Sequence, residues 1–357
     1  MLFMRNGKIK VIALFIAMLF IAIALAGCAG KKATDKSEEP KDGAAQEKIV
    51  VKMVGTLPIQ HHLTRALEMY KDTVEKKSGG RVEFQLYPAQ QLYNDNDLVN
   101  ALPKGAVEGA ILNSDLWAGL IPSEGILFIP TYYQDREQFY KVFDTEAWQI
   151  IKNDFEEKGN TKVLGFVEYG AGGIISKKPV GKLEDFKGLR TRAYGEYIAT
   201  FLQAMGAAPV VMSSGDMYQA LQRGTIDAAM SGSSSFVERK LTEVTNYYLE
   251  NDLIYSTPFL LGFNLDFWNK LPPDLQNIFE DAALEVQEWS KQYVQEADKK
   301  YKEQIKEKGL TVTSVDEQEM ARWRGKSAPT LEAVYKKNVG EEKAQKILDI
   351  IKKLPAS

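Results

Sequence analysis

The sequence predicts an α/β fold of two similar domains, with a cleft between them and a long helix that braces both. Three observations support this. The folded part opens with a strand, a helix and a strand; one helix–turn–strand design occurs twice; and a long amphipathic helix follows Pro273. Strands that alternate with helices are typical of parallel α/β sheets. Two copies of one design therefore predict two domains.

The opening unit begins near Lys48. The stretch KIVVKMVGT predicts a strand. In HHLTRALEMYKDTVEKKSGG, apolar residues recur at helical spacing up to Gly79 and Gly80, which indicates a helix and its end. RVEFQLYP then alternates apolar and polar residues, as a half-buried strand does.

The repeated design starts at Asp97, in DLVNALPKGAVEGAILNS, and again at Asp216, in DMYQALQRGTIDAAMSGS. The two acidic residues suit helix starts, and Gly105 and Gly224 suit helix ends before a strand. Few positions match outright, so chance similarity is the alternative.

The chain between and after the repeats supplies the second domain and the brace. We expect a strand near Gly173, a strand within DFKGLRTRAYGE (185–196), a helix, and a strand at 210–212. YSTPFLLGFNLDFWNKL then returns to the first domain. The helix from Pro273 should cross both domains and continue as a helical tail. Its apolar positions are Ile278, Ala282, Val286, Trp289 and Tyr293.

The amino terminus carries an export signal. A positive region, an apolar run over 11–26 and small residues precede Cys28. Leu25-Ala26-Gly27-Cys28 resembles the lipobox of bacterial lipoproteins, which implies cleavage after residue 27 and acylation of Cys28. An uncleaved anchor is the alternative. The charged stretch up to residue 47 has the composition of a flexible tether.

Composition and motifs exclude several functions. The formal net charge of -3 gives no basic footprint for nucleic acid. Adjacent His61 and His62 cannot share a helix face as metal ligands, and they fit ligand-proximal or surface groups better than a general base. The GAGG at 170–173 is an incomplete dinucleotide motif, and G-x-S-x-G does not occur. We therefore expect no enzyme activity, no cofactor and no metal.

The arginines give a stronger indication of a ligand-binding site than the histidines do. Alternation along a strand puts Arg190, Arg192 and Tyr194 on one face. Arg192 and Tyr194 should reach the crevice beyond the strand end, where open α/β sheets bind ligands, while Arg190 lies deeper or toward solvent. A guanidinium there would bind a carboxylate through two hydrogen bonds. The alternative is that both arginines form surface ion pairs, with Glu184, Asp185 or Glu196.

Three aromatic residues, Trp117, Tyr169 and Phe236, each follow or precede a turn at a predicted strand end. Each alone is more often a core residue than a pocket residue. Their shared position favours the cleft.

Four stretches together resemble the extracytoplasmic solute-binding proteins of TRAP transporters, the DctP family. These are EKKSGGRVEFQLYPAQQL, EDFKGLRTRAYG, GAAPVVMSSGDMYQALQRGTIDAA and FWNKLPPDLQNIFEDAALE. The resemblance implies a two-domain periplasmic-binding-protein-like fold that closes over a small organic acid. It also implies delivery of that acid to a sodium-coupled membrane permease, without ATP.

The resemblance also implies site residues. Arg192 falls on the family arginine that grips the substrate carboxylate. Other ligand-lining positions of the family fall on Thr56, Asp95, Asn113, Tyr194 and Ser231. Trp117 and Tyr169 join them by proximity only.

Departures from the family pattern bear on the ligand. Many sialic-acid and dicarboxylate binders carry a second arginine where this chain has Gly172, and an Asn where it has Ser231. The loss of a cation and an amide predicts a monocarboxylate with an apolar or aromatic body.

The expected organisation is a signal peptide at 1–27, a lipidated tether at 28–47, and domain I at 48–168 plus 256–272. Domain II covers 169–255, and the brace and tail cover 273–357. The protein should be extracytoplasmic and held to a membrane by lipid on Cys28. The alternatives are an exported enzyme, and a ligand sensor partnered with a membrane signalling kinase.

Overall fold

Two β-sheets organise the computed structural model, which describes residues 48–356. The strands are β1 Ile49–Val54, β2 Val82–Tyr87, β3 Gly109–Asn113, β4 Thr161–Glu168, β5 Gly172–Ser176, β6 Arg190–Ala193, β7 Ala208–Val211, β8 Ala228–Gly232, β9 Tyr247–Ile254, β10 Pro258–Asn264 and β11 Thr311–Thr313. The α-helices are α1 His62–Lys77, α2 Asp95–Ala101, α3 Arg136–Lys141, α4 Glu146–Gly159, α5 Glu196–Met205, α6 Met217–Arg223, α7 Ser233–Glu238, α8 Leu265–Trp268, α9 Pro273–Glu307, α10 Glu317–Val339 and α11 Glu341–Lys352. The predicted signal peptide, Cys28 and the tether lie outside the described residues.

The first sheet has the strand order β2-β1-β3-β10-β4. β1 runs parallel to β2 and β3, which confirms the predicted parallel opening unit. β10 is antiparallel to β3 and β4, so the chain returns to this sheet after building the second one. Helix α1 buries its stripe of Leu63, Leu67, Tyr70 and Val74, as its spacing predicts.

The second sheet has the order β11-β9-β5-β8-β6-β7. β6, the strand within DFKGLRTRAYGE, lies between β8 and β7 and is parallel to both. The strand predicted at 210–212 begins earlier, at Ala208, because its residues pair with Arg190–Ala193 of β6. A central parallel strand points its carboxyl end at the edge where ligands bind in such sheets.

The two repeats both form a helix, a turn and a strand. Gly224 ends α6 in the left-handed conformation (φ 73°), as expected. The predicted start at Asp97 is wrong. Helix α2 begins at Asp95 because the Asn94 side chain accepts hydrogen bonds from the backbone N–H groups of Asn96 (2.9 Å) and Asp97 (3.0 Å).

Helix α9 braces both sheets, as its length and periodicity predict. Its Phe279 carbonyl accepts a hydrogen bond from Tyr70 of α1 (3.2 Å), and its Asp298 carboxylate accepts one from Ser233 of α7 (3.2 Å). The tail beyond α9 is not wholly helical. Strand β11 extends the second sheet by pairing with β9.

We call residues 48–168 with 256–272 lobe I and residues 169–255 lobe II, following the predicted domains, which remain a proposal. The sheets follow this division, except for β11. Gly170 lies in one of the two crossings between the lobes, with φ 116°. A Cβ atom there would stand 2.5 Å from Asp298 Oδ1, so this position requires glycine.

Candidate ligand-binding cleft

A small cavity of about 20 Å³, with room for about one water molecule, lies between the two lobes. Its lining is shared between them: Leu57, Asp95, Asn113, Thr257 and Phe259 from lobe I, and Tyr169, Arg192, Tyr194, Ser214, Ser231, Gly232 and Ser235 from lobe II. Most of these residues lie at or near a strand end, where two sheets face each other across the crevice.

The structure brings six of the eight predicted site residues to this cavity: Arg192, Asn113, Tyr194, Tyr169, Ser231 and Asp95. Thr56 and Trp117 are not among the lining residues. Trp117 belongs to the hydrophobic core, where its ring lies 5.7 Å from that of Phe155. Phe236 is also a core residue, next to Tyr248. A position near a strand end therefore did not separate core aromatics from cavity aromatics.

Arg192 is a buried cation held by backbone carbonyls. Its Nε donates to the carbonyl of Met212 (3.2 Å) and its Nη1 to that of Met230 (3.0 Å). Within residues 48–356, no carboxylate forms an ion pair with it. Burial lowers the pKa of Arg192 to about 10, against the charge of nearby Asp95, so the side chain stays charged at neutral pH. The site thus holds a desolvated positive charge with a carboxylate nearby, Asp95, but none in direct contact.

Arg190 lies in a different environment from Arg192, although the two side chains share a strand face. It is exposed and forms a two-point ion pair with Asp227, at 2.9 Å and 2.8 Å. The surface-pairing alternative therefore holds for Arg190, with a partner other than those expected. It is wrong for Arg192.

An aromatic stack forms one wall of the cleft. The Tyr169 ring lies 5.4 Å from that of His61 and 5.2 Å from that of Phe259. The Tyr169 hydroxyl donates to Ser235 Oγ (2.7 Å) and lies 3.2 Å from Ser231 Oγ. The ring position is therefore fixed by residues of both lobes.

His61 and His62 are buried, which excludes the surface alternative and leaves the ligand-proximal one. His61 Nδ1 accepts from the backbone N–H of Leu63 (3.1 Å), so its Nε2 carries the proton and donates to Ser234 Oγ of lobe II (3.0 Å). Burial holds the pKa of His61 well below its usual value, and nearby His62 lowers it further. His61 is thus a neutral residue that joins the lobes.

Two buried acceptor oxygens in the site have no hydrogen-bond donor among the described residues. Asp95 Oδ2 accepts from Ser214 (3.0 Å) and Ser213 (3.4 Å) across the cleft. Asp95 Oδ1 and Asn113 Oδ1 are buried without a hydrogen-bond partner. Buried acceptors of this kind usually have a donor, so they favour a ligand that carries N–H or O–H groups.

Sequence reasoning missed a second cation, Arg239, which follows α7. Its Nη2 donates to the Thr56 carbonyl of lobe I (3.3 Å), and its Nε is buried without a partner. Burial lowers the pKa of Arg239, while Tyr169 and Asp95 raise it. Its neighbourhood in the chain gives no signal, because its burial depends on contact between the lobes. The lining residues Ser214 and Ser235 were detectable, since both lie in serine-rich stretches at strand ends.

Two features are absent from the part of the chain that the structure describes, namely a metal-binding cluster and a membrane-spanning helix. No group of three or more His, Cys, Asp or Glu side chains there could hold a metal ion. The same residues include no helix long and apolar enough to cross a membrane.

Comparison with known proteins identifies the family. The family model DctP, the bacterial extracellular solute-binding protein family 7, matches residues 53–338. The C4-dicarboxylate-binding periplasmic protein DctP of Rhodobacter capsulatus is 27% identical over 283 residues, which are 78% of this chain and 84% of that protein.

Two solved structures are similar. A TRAP periplasmic solute-binding protein from Desulfovibrio salexigens, with bound orotic acid, superposes with a TM-score of 0.81 at 23% identity. The superposition covers 85% of this chain and 98% of the Desulfovibrio chain. A TRAP periplasmic solute-binding protein from Haemophilus influenzae, with bound L-gulonate, superposes with a TM-score of 0.78 at 26% identity. The match covers 86% of this chain and 100% of that chain.

Proposed function

Because the chain belongs to family 7 of the bacterial extracellular solute-binding proteins, we propose that its cleft captures a small organic monocarboxylate, closes over it and delivers it to a TRAP membrane permease. Proteins of this family are extracytoplasmic, non-enzymatic components of transport. The chain is therefore a solute-binding protein and not an enzyme.

The observation that carries the proposal is the state of Arg192. A guanidinium that is 2% exposed and has no carboxylate partner within the described residues is poised for an anion. A ligand carboxylate would supply the missing counter-ion. Water excluded by closure would strengthen that contact, because charges interact more strongly in a low-dielectric site.

The charge of the cleft supports a ligand with one negative charge. Among the residues that line the cavity, Arg192 is the one cation and Asp95 is the one carboxylate. Arg239 lies near them with Glu238 acting on it, and His61 is neutral. A second carboxylate on the ligand would therefore meet no further cation among the lining residues.

The walls of the cleft support an aromatic or apolar ligand body. Leu57, Phe259, Tyr169 and Tyr194 present apolar surface, and the position that holds a second arginine in many dicarboxylate binders is Gly172. The unpaired oxygens of Asp95 and Asn113 add a requirement for at least one N–H or O–H donor. Orotic acid, bound by one similar structure, has this combination of ring, donors and carboxylate.

The amino-terminal sequence supports a lipid anchor on Cys28. Replacement of Cys28 by serine should move the exported protein from the membrane fraction to the soluble fraction. Retention in the membrane would contradict the anchor and favour an uncleaved signal.

A calorimetric titration of the purified protein tests the ligand class, with orotate, benzoate, L-gulonate and succinate as probes. The expected result is that orotate binds most tightly, that benzoate binds more weakly because it has no N–H or O–H donor for Asp95 and Asn113, and that succinate binds more weakly than orotate. Tighter binding of succinate would overturn the monocarboxylate class. Binding of none, after mass spectrometry of the unfolded protein has excluded a trapped ligand, would overturn the organic-acid function.

A further inference from the structure

Two carboxyl groups are buried behind the wall of the cleft. Asp115 lies in the turn Ser114–Trp117 after β3, and Glu124 lies in the turn Pro122–Phe128. Asp115 is 1% exposed and Glu124 is fully buried, and none of their four oxygens has a hydrogen-bond partner. The proposed transport function uses neither of them.

A carboxylate ion without partners is unstable in such a place, because burial removes its hydration and nothing replaces it. Burial and the nearby carboxylate of Glu196 raise the pKa of Asp115 to about 8, against the opposing effect of Arg192. Burial also raises the pKa of Glu124 well above its usual value, and Asp115 adds to this effect. Both shifts favour the protonated form of each carboxyl group while the lobes are in contact.

The surroundings offer these groups little positive charge. The titratable and charged groups that act on the pair from the elements packed on it are Arg192, Tyr194, Glu196, Tyr197 and Tyr335. Asp154 lies next to Ser123 and is paired with Lys158 and Lys343. Arg192 is the proposed anchor of the ligand carboxylate, so ligand binding would remove its influence on Asp115 and strengthen proton binding there.

Contact between the lobes covers Asp115. The carboxyl group belongs to lobe I, and Gly195 of lobe II lies directly against it, so that a Cβ atom on Gly195 would collide with both carboxylate oxygens. Opening of the cleft would withdraw Gly195 and admit water. A hydrated carboxyl group returns to its ordinary acidity and loses its proton at neutral pH.

We propose that Asp115 and Glu124 form a proton-binding pair at the contact between the lobes, so that closure takes up protons and acidic solution favours the closed protein. This inference rests on the domain closure of the proposed function. It adds a regulatory input to that closure, namely the pH outside the cytoplasmic membrane.

The distance between spin labels on the two lobes tests the proposal without a ligand. The chain has one cysteine, Cys28, so Cys28→Ser allows cysteines to be introduced at two exposed sites, Lys76 in lobe I and Gln222 in lobe II. Between pH 8 and pH 5, the ratio of closed to open protein should rise by up to about tenfold per pH unit for each proton taken up.

The variant Asp115→Asn with Glu124→Gln should abolish this response, because both new side chains are neutral at every pH. As a control, Asp72→Asn with Glu285→Gln changes two exposed carboxylates, 73% and 56% accessible, and should leave the response intact. The single variants serve if the double variant does not fold, and each should reduce the response. A response that survives in the Asn/Gln variant, or that is missing in the parent protein, would overturn the proposal.

Added orotate separates this inference from the proposed function. If orotate and the other acids do not shorten the distance between the spin labels at any pH, the proposed binding of organic acids is rejected. The pH response of the ligand-free protein still decides the role of the pair in that case. If they close the protein at both pH values while the ligand-free protein shows no pH response, binding stands and the proton-binding pair is rejected.

Discussion

The guanidinium carbon of Arg192 lies 5.2 Å from the centre of the Tyr194 ring, and both side chains line the cavity between the lobes. The ring stabilises the cation, while two backbone carbonyls orient it. This arrangement keeps a buried positive charge in place before any anion arrives.

Replacement of Arg192 by alanine should remove most of the affinity, on the order of 2 to 5 kcal/mol, because the ligand carboxylate would be buried without a partner. Isothermal titration with the best-binding acid measures the loss. Arg190→Ala is the matched control, since that arginine is exposed and paired with Asp227, and it should bind normally. Equal affinities in both variants would disprove the anchoring role.

Replacement of Arg239 by glutamine should weaken binding by about 1 to 3 kcal/mol, because it removes a charge near the site and the hydrogen bond to the Thr56 carbonyl. The faster dissociation should be visible in stopped-flow measurements, since that bond joins the lobes. Lys240→Gln removes an exposed neighbouring cation and should change little. If the two variants behave alike, Arg239 acts only through long-range charge.

Replacement of Gly170 by alanine should destabilise the protein by roughly 1 to 3 kcal/mol, because alanine is strained at φ 116° and its Cβ would collide with Asp298. Urea denaturation gives the free energy of unfolding. Gly181→Ala is a suitable control, since no atom lies within 4 Å of an added Cβ there. An unchanged midpoint for Gly170→Ala would mean that this crossing tolerates other backbone conformations.

His62 should make the protein sensitive to acid. Burial lowers its pKa from 6.5 to about 4, so between these values the unfolded chain binds more protons than the folded protein does. Stability from this residue is therefore complete above pH 6.5 and is lost as the pH falls toward 4, by on the order of 3 kcal/mol. His62→Gln should flatten that part of the stability curve. A slope equal to that of the parent protein would assign the acid sensitivity to other groups.

The sequence by itself determined the local elements and the family. Periodicity predicted α1, the long helix α9 and the alternation of Arg190, Arg192 and Tyr194, because side-chain direction follows directly from the geometry of a helix or strand. Four ordered stretches identified the family, which the match over residues 53–338 confirms.

Only the tertiary structure decided which side chains are left without partners. Arg190 forms an ion pair with Asp227, whereas Arg192 forms none with any carboxylate of the described residues, although the two arginines are two residues apart on one strand. Trp117 packed into the core, while Arg239 was buried by the opposite lobe. Burial and pairing depend on groups far apart in the chain, and the free energy of a charge depends on those groups rather than on its sequence neighbours.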